Sequence, residues 1–170
     1  MQVSFTAIGG VALNYRLKGQ LDSLRIPPPH RSEFIDGLWE HTCFEVFFAV
    51  AGSDAYREFY FSPSGQWAAY AFRNYRERDE FAIQELSPQI SVTRFADHLE
   101  LNAVLEPTLL PSAPPGANLQ LGLSAVIEAA DGSRSYWALA HPAAQPDFHH
   151  RAAMTLTLAT DKTTLSENPR

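Results

Sequence analysis

One cysteine, Cys43, stands in 170 residues. No internal disulfide can form, and no thiolate cage can hold a metal. Lysine and arginine total 13 against 19 aspartates and glutamates, for a net charge of −6. The basic residues never form a run longer than a pair, so nucleic acid is not an expected partner. Long apolar runs are missing too: no window approaches the roughly 18 apolar residues of a membrane helix. The opening MQVSFTAIGG lacks the basic stretch and apolar core of a secretory leader. These absences predict a soluble, cytoplasmic protein with no membrane partner. A sustained apolar 3.6-residue repeat is also absent; only 74–80 admits a short helix or charged loop.

What the chain does have is aromatic residues and alternation. Hydrophobic residues make up 45%, charged residues 19%, and aromatics 12%, with 11 Phe, 6 Tyr and 3 Trp. Val11, Leu13, Tyr15 and Leu17 alternate with polar or small residues, the period of a half-buried strand. Thr42, Phe44, Val46, Phe48 and Val50 share one face of the next such stretch, with His41, Cys43, Glu45 and Phe47 on the other. Leu99, Leu101, Ala103 and Leu105 repeat the pattern, as do Leu119, Leu121, Leu123, Ala125 and Ile127, and finally Met154, Leu156 and Leu158. Gly9-Gly10, Pro27–Pro29, Ser62–Gly65 and Asp131-Gly132 punctuate the gaps. The pattern predicts an all-β protein, an antiparallel β-sandwich of about ten strands, jelly-roll or immunoglobulin-like. Residues 1–160 form the one domain expected, and 161–170 a flexible C-terminal tail.

The stretch 60-YFSPSGQWAAYAF-72 places a Ser-Pro-Ser-Gly turn between aromatic strands. With Phe59 and Phe61 facing the core, Glu58 and Tyr60 take the opposite face and extend the set His41, Cys43 and Glu45. Arg73 shares the parity of Trp67 on the following strand and is expected to pair with Glu45 or Glu58. Aromatic rings beside carboxylates and a guanidinium are what sugar recognition uses: a ring covers the C–H face, and polar groups bond the hydroxyl rim. Trp39, Trp67 and Trp137 are the available platforms. The competing reading of this face is a solvated surface with cross-strand ion pairs.

The segments 38-LWEHTCFEVFF-48, 57-REFYFSPSGQWAAYAF-72, 136-YWALAHP-142 and 146-PDFHH-150 resemble the DOMON-like domains, which are similar in fold to family 9 carbohydrate-binding modules. The resemblance runs from about Tyr15 to Leu158. It implies a β-sandwich with a ligand site on one sheet face, taking sugars in some relatives and haem in others. By chain position and residue type it implies that Trp39 and Trp137 clamp a terminal sugar, with polar contacts from Glu40, Glu45, Glu58 and Arg73. The expected site is therefore Trp39, Glu40, His41, Glu45, Glu58, Tyr60, Arg73 and Trp137, and the expected function a non-catalytic, carbohydrate-binding module with no cofactor.

Three alternatives stay open. For haem, the resemblance suggests Met154 with His41, His141 or His149 as an axial pair, although no covalent attachment motif is present. Asp147 and His149 are the candidate ligands for a divalent metal; against that, Asp147 would cap a turn and His149 pack on Tyr136 or Trp137. Glu45 and Glu58 could be the two acids of a glycoside-processing hydrolase.

Overall fold

Strand β2 (Val11–Lys18) buries Val11, Leu13 and Tyr15 on one side, while β8 (His98–Leu105) buries Leu99, Leu101, Ala103 and Leu105. The two pair antiparallel, Val11 opposite Leu105 and Leu17 opposite Leu99, so their apolar sets fall on one face. Adding β1 (Gln2–Phe5) outside β2 and β7 (Gln89–Arg94) outside β8 completes a four-stranded sheet ordered β1-β2-β8-β7. Its other face is largely exposed, which is why its alternation is clean.

The second sheet runs β10 (Arg134–Ala138), β9 (Leu119–Glu128), β3 (Cys43–Val50), β4 (Tyr56–Phe61), β5 (Trp67–Asn74), β6 (Glu77–Asp79), with β11 (Leu156–Leu158) also on β9. All ladders are antiparallel. This computed structural model describes residues 1–79, 87–114 and 116–159, so the predicted tail 161–170 lies outside the described residues. Apart from strands, regular structure among the described residues is confined to 3-10 turns. Among the described residues no helix is long and apolar enough to cross a membrane. The antiparallel sandwich read from period-2 alternation is the architecture found, with eleven strands in two sheets among the described residues.

The core lies between the sheets. Phe44, Val46 and Phe48 meet Phe59, Phe61, Trp67, Leu121 and Leu123 from their own sheet, and Tyr15, Leu101 and Leu105 from the other. The Tyr15 ring sits 5.0 Å from Phe44, and its hydroxyl donates to the Glu45 carbonyl at 2.9 Å, tying one sheet to the backbone of the other. At the start of β2 the chain passes so close to β8 that a Cβ on Gly10 would lie 2.3 Å from the Leu105 carbonyl oxygen.

Two local expectations are corrected. The segment expected to form a short helix or charged loop at 74–80 is a hairpin as far as it is described: β5 turns at Tyr75-Arg76 into β6. A register shift between Phe72 and Asn74 and a left-handed Arg76 (φ 56°) close it, and the short turn wins because no apolar stripe rewards a helix. Met154 does not share a strand face with Leu156 and Leu158. It follows a 3-10 turn at Arg151–Ala153 and packs beside Gly122 on the outer side of the large sheet.

Phe44→Ala should cost ~3–5 kcal/mol, because a fully enclosed ring leaves a cavity its neighbours cannot fill. Gly10→Ala should also destabilise, because the added methyl meets a backbone carbonyl rather than a movable side chain. Urea titration of each variant checks both; a Phe44→Ala midpoint equal to the parent's would contradict the core assignment.

Candidate functional site

The outer face of the large sheet is built by register. Glu45 stands between Ser124 on β9 and Tyr60 on β4, and Tyr60 faces Ala68 on β5. One step along, Phe47 faces Glu58, and Glu58 faces Tyr70; a further step sets Ala49, Tyr56 and Phe72 in line. Sequence parity thus placed Glu45, Glu58 and Tyr60 together correctly, but the face is not solvated. Two segments cover it. Residues 30–41 run beside β5, held by Trp67 N–H to the Glu33 carbonyl (3.1 Å) and Ile35 N–H to the Trp67 carbonyl (2.9 Å). Phe34 lies edge-on to Trp67 and Tyr70, and a left-handed Gly37 (φ 83°) turns the chain into the 3-10 turn Leu38–Glu40. From the other end, Phe148, His149 and Met154 close over Phe47, Tyr56 and Val126.

Beneath this cover is a sealed polar layer. Glu45 and Glu58 are each 1% exposed. Ser124 donates to Glu45 Oε2 at 2.9 Å, and the Cys43 thiol lies 3.8 Å from Oε1. The Tyr60 hydroxyl donates to Glu58 Oε1 at 2.6 Å, and His149 Nε2 is 3.7 Å from the same oxygen. His149 Nδ1 lies 2.8 Å from the Tyr56 hydroxyl oxygen, which accepts the Arg76 N–H at 3.1 Å. Burial dominates the protonation. It raises Glu45 to about 7, against opposing bonds from Ser124 and Cys43. It raises Glu58 to about 8, with Glu45 adding repulsion. Burial lowers His149 to about 4 and pushes the Cys43 thiol well up. Near neutrality the layer is therefore held largely by neutral groups.

Trp39 sits on top of this layer. Its half-buried ring is 5.6 Å from Tyr60 and 6.2 Å from Tyr70, and the Arg78 guanidinium lies 3.9 Å above Tyr70 and 5.8 Å from Trp39. Beside Trp39 opens a cavity of about 510 Å³. Its polar lining is Asp36, Glu40, His41, Ser62 and Gln66; Ile35, Leu38 and Pro27 supply apolar wall. The Tyr70 hydroxyl donates to Asp36. His41 Nδ1 stands 2.8 Å from Glu128 Oε2, and Arg25 reaches Glu128 Oε1 at 2.9 Å. The His41 bond, and then Arg25, hold the Glu128 carboxyl below its ordinary range.

The structure therefore divides the predicted residues. Trp39, Glu40 and His41 line the cavity, while Glu45, Glu58 and Tyr60 lie in the sealed layer next to it. Arg73 is not brought there: it is exposed and pairs with Glu77 at 3.2 Å. Trp67 pairs with Phe61 and is sealed in the core, so the parity that joins Arg73 to Trp67 carries both off the Glu58 face. Arg78, opposite Phe72, supplies the guanidinium instead. Trp137 pairs with Ala125, whose side chain faces the core; Trp137 is thus on the opposite face of the sheet from Trp39, and 61% exposed. Asp147 accepts from the Tyr75 hydroxyl (2.7 Å) and Arg76 (2.9 Å), and His149 packs on Phe47, Tyr56 and Phe72 rather than on Tyr136 or Trp137. Among the described residues, no group of three or more His, Cys, Asp or Glu side chains is placed to hold a metal ion. Asp36, Gln66 and Arg78 were missed. Only the pairing of Phe61 with Trp67, implicit in the short turn, could have phased β5 and pointed to its outer face.

No protein-family model matches the chain, and no curated sequence matches it. Among solved structures the fold is similar to the crystal structure of a putative carbohydrate-binding protein from Bacteroides uniformis ATCC 8492. The TM-score is 0.63 at 18% identity, over 88% of this chain and 72% of that one. At that identity the likeness shows a shared fold.

The sealed carboxyls make stability pH-dependent with a defined sign. Glu45 and Glu58 rise from 4.5 to about 7 and about 8 on folding. The folded chain then holds more protons between pH 4.5 and about 8, and their contribution to stability falls as pH rises through that window. For each carboxyl, every tenfold difference in proton affinity between the folded and unfolded chain corresponds to about 1.4 kcal/mol. Urea unfolding of the parent and of Glu58→Gln from pH 5 to 9 should show the variant gaining on the parent with pH, by several kcal/mol at the alkaline end. Parallel profiles would contradict the buried, uncompensated assignment.

Proposed function

We propose that the protein is a non-catalytic carbohydrate-binding module whose ligand seats against Trp39. The observation that carries this is the cavity of about 510 Å³ in which an indole stands beside Asp36, Glu40, His41 and Gln66. An aromatic face for C–H groups and a polar rim for hydroxyls within one concavity are the two elements a sugar ring needs. The volume suits a small saccharide. The shared fold with a putative carbohydrate-binding protein supports the reading, as does the resemblance of 38-LWEHTCFEVFF-48 and its companion segments to DOMON-like domains. The ligand is held by one aromatic platform rather than clamped between Trp39 and Trp137, because those rings lie on opposite sheet faces. Glu45 and Glu58 do not line the cavity, so their role here is to support the platform rather than to act as acid and base.

Calorimetric titration with a panel of mono- and disaccharides tests this. Trp39→Ala should weaken binding at least about tenfold, roughly 1.4 kcal/mol, with the melting temperature recorded alongside. Trp137→Ala should leave affinity unchanged. Binding lost in Trp137→Ala and retained in Trp39→Ala would overturn the site.

A further inference from the structure

The polar groups around Trp39 differ in what they have left to offer. Gln66 is spent: its amide nitrogen is 3.3 Å from both His30 Nδ1 and Glu33 Oε1, and its Oε1 accepts from Ser64 at 3.0 Å. The Ser62 hydroxyl oxygen accepts from the Ser64 hydroxyl at 2.8 Å and from the Ser64 N–H at 3.2 Å. His41 has Nδ1 engaged by Glu128. Asp36 has one oxygen taken by Tyr70, leaving the other. The exposed carboxylate of Glu40 has no hydrogen bond or ion pair among the described residues. Among the described residues no lysine or arginine lines the cavity. The nearby guanidiniums are committed elsewhere: Arg25 to Glu128 and the Ala130 carbonyl, Arg31 to Glu33, and Arg78 over the Tyr70 ring.

The cavity thus presents an indole and two carboxylates with oxygens to spare, while its one imidazole, His41, is already held by Glu128 and the neighbouring Arg78 guanidinium lies over Tyr70. A ligand gains most there by donating. We infer that the cavity selects a saccharide carrying a protonated amino group, an amino sugar, over neutral sugars, and rejects sugars bearing carboxylate or sulfate. The ammonium would be held by Glu40 and the free oxygen of Asp36, with the sugar's C–H face on Trp39. A charge-assisted bond of this kind is shorter and stronger than a hydroxyl's, and an anionic sugar would meet like charge at Glu40 and Asp36. This rests on the Trp39 reading above and names the ligand class it takes.

Three disaccharide probes tested by titration calorimetry at pH 6 decide it: a glucosamine dimer, cellobiose, and a uronic acid dimer. The glucosamine dimer should bind about two- to fivefold more tightly than cellobiose, the range for a partly exposed ion pair. The uronate should not bind. Glu40→Gln, a change at an exposed side chain, should erase the amino-sugar advantage, bringing the ratio of glucosamine-dimer to cellobiose affinity to about one. Salt at about 0.5 M should shrink the same advantage, because an exposed pair is screened. If cellobiose binds as well as the glucosamine dimer, or the uronate binds best, or Glu40→Gln leaves the ratio unchanged, the charge selection is wrong, while Trp39-dependent binding stands. If none of the three binds, and Trp39→Ala alters nothing in a wider panel, the carbohydrate reading fails with it.

Discussion

The strands β3, β4 and β9 are buried on both faces, and most of the outer architecture follows from that. A sandwich usually leaves the outer face of each sheet to solvent, and the four-stranded sheet here does so. In the large sheet, Phe47, Tyr56, Phe72 and Val126 point away from the core and would expose a broad aromatic patch if left uncovered. The segments 30–41 and 146–154 are the cover. Each is anchored on a part of the sheet that can accept it. The first adds backbone bonds to the free edge of β5 around Trp67; the second seats Met154 over Gly122, where a Cβ would meet the methionine at 3.3 Å. The cavity beside Trp39 is the gap left where the first segment turns at Gly37.

How much of this was legible follows from the range of each signal. Alternation is local, so Phe44, Val46, Phe48 and the Leu119–Ile127 set could be assigned to the core from sequence, and the structure keeps them there. Glu45, Glu58 and Tyr60 came out on one face for the same reason, since parity within a strand and across a tight hairpin is all that placement requires. What alternation cannot say is whether the second face is wet. That depends on segments 30–41 and 146–154, which have no period, so residues that read as a polar surface are instead a dry layer. Phase across a turn was the other gap. Parity with Trp67 sets Arg73 on the glutamate face only if Trp67 faces outward, and Trp67 pairs with Phe61 and faces inward. Trp137 failed similarly: its chain position suggested a partner for Trp39, and its pairing with Ala125 puts it on the other face.

Two carboxyls without a bonded cation are a costly thing to enclose, and an apolar replacement of equal volume is commonly no worse for stability. What these two provide is orientation. Tyr60 donates its hydroxyl to Glu58 at 2.6 Å, which anchors the end of the ring that packs 5.6 Å from Trp39. Tyr70, tied to Asp36 and overlaid by Arg78, confines the indole from the next strand. Glu58 thus bears on the cavity without lining it, through the hydroxyl of a tyrosine packed against the indole. An indole held on two sides in this way has little rotamer freedom, so a ligand seated as proposed would cost little side-chain entropy at Trp39.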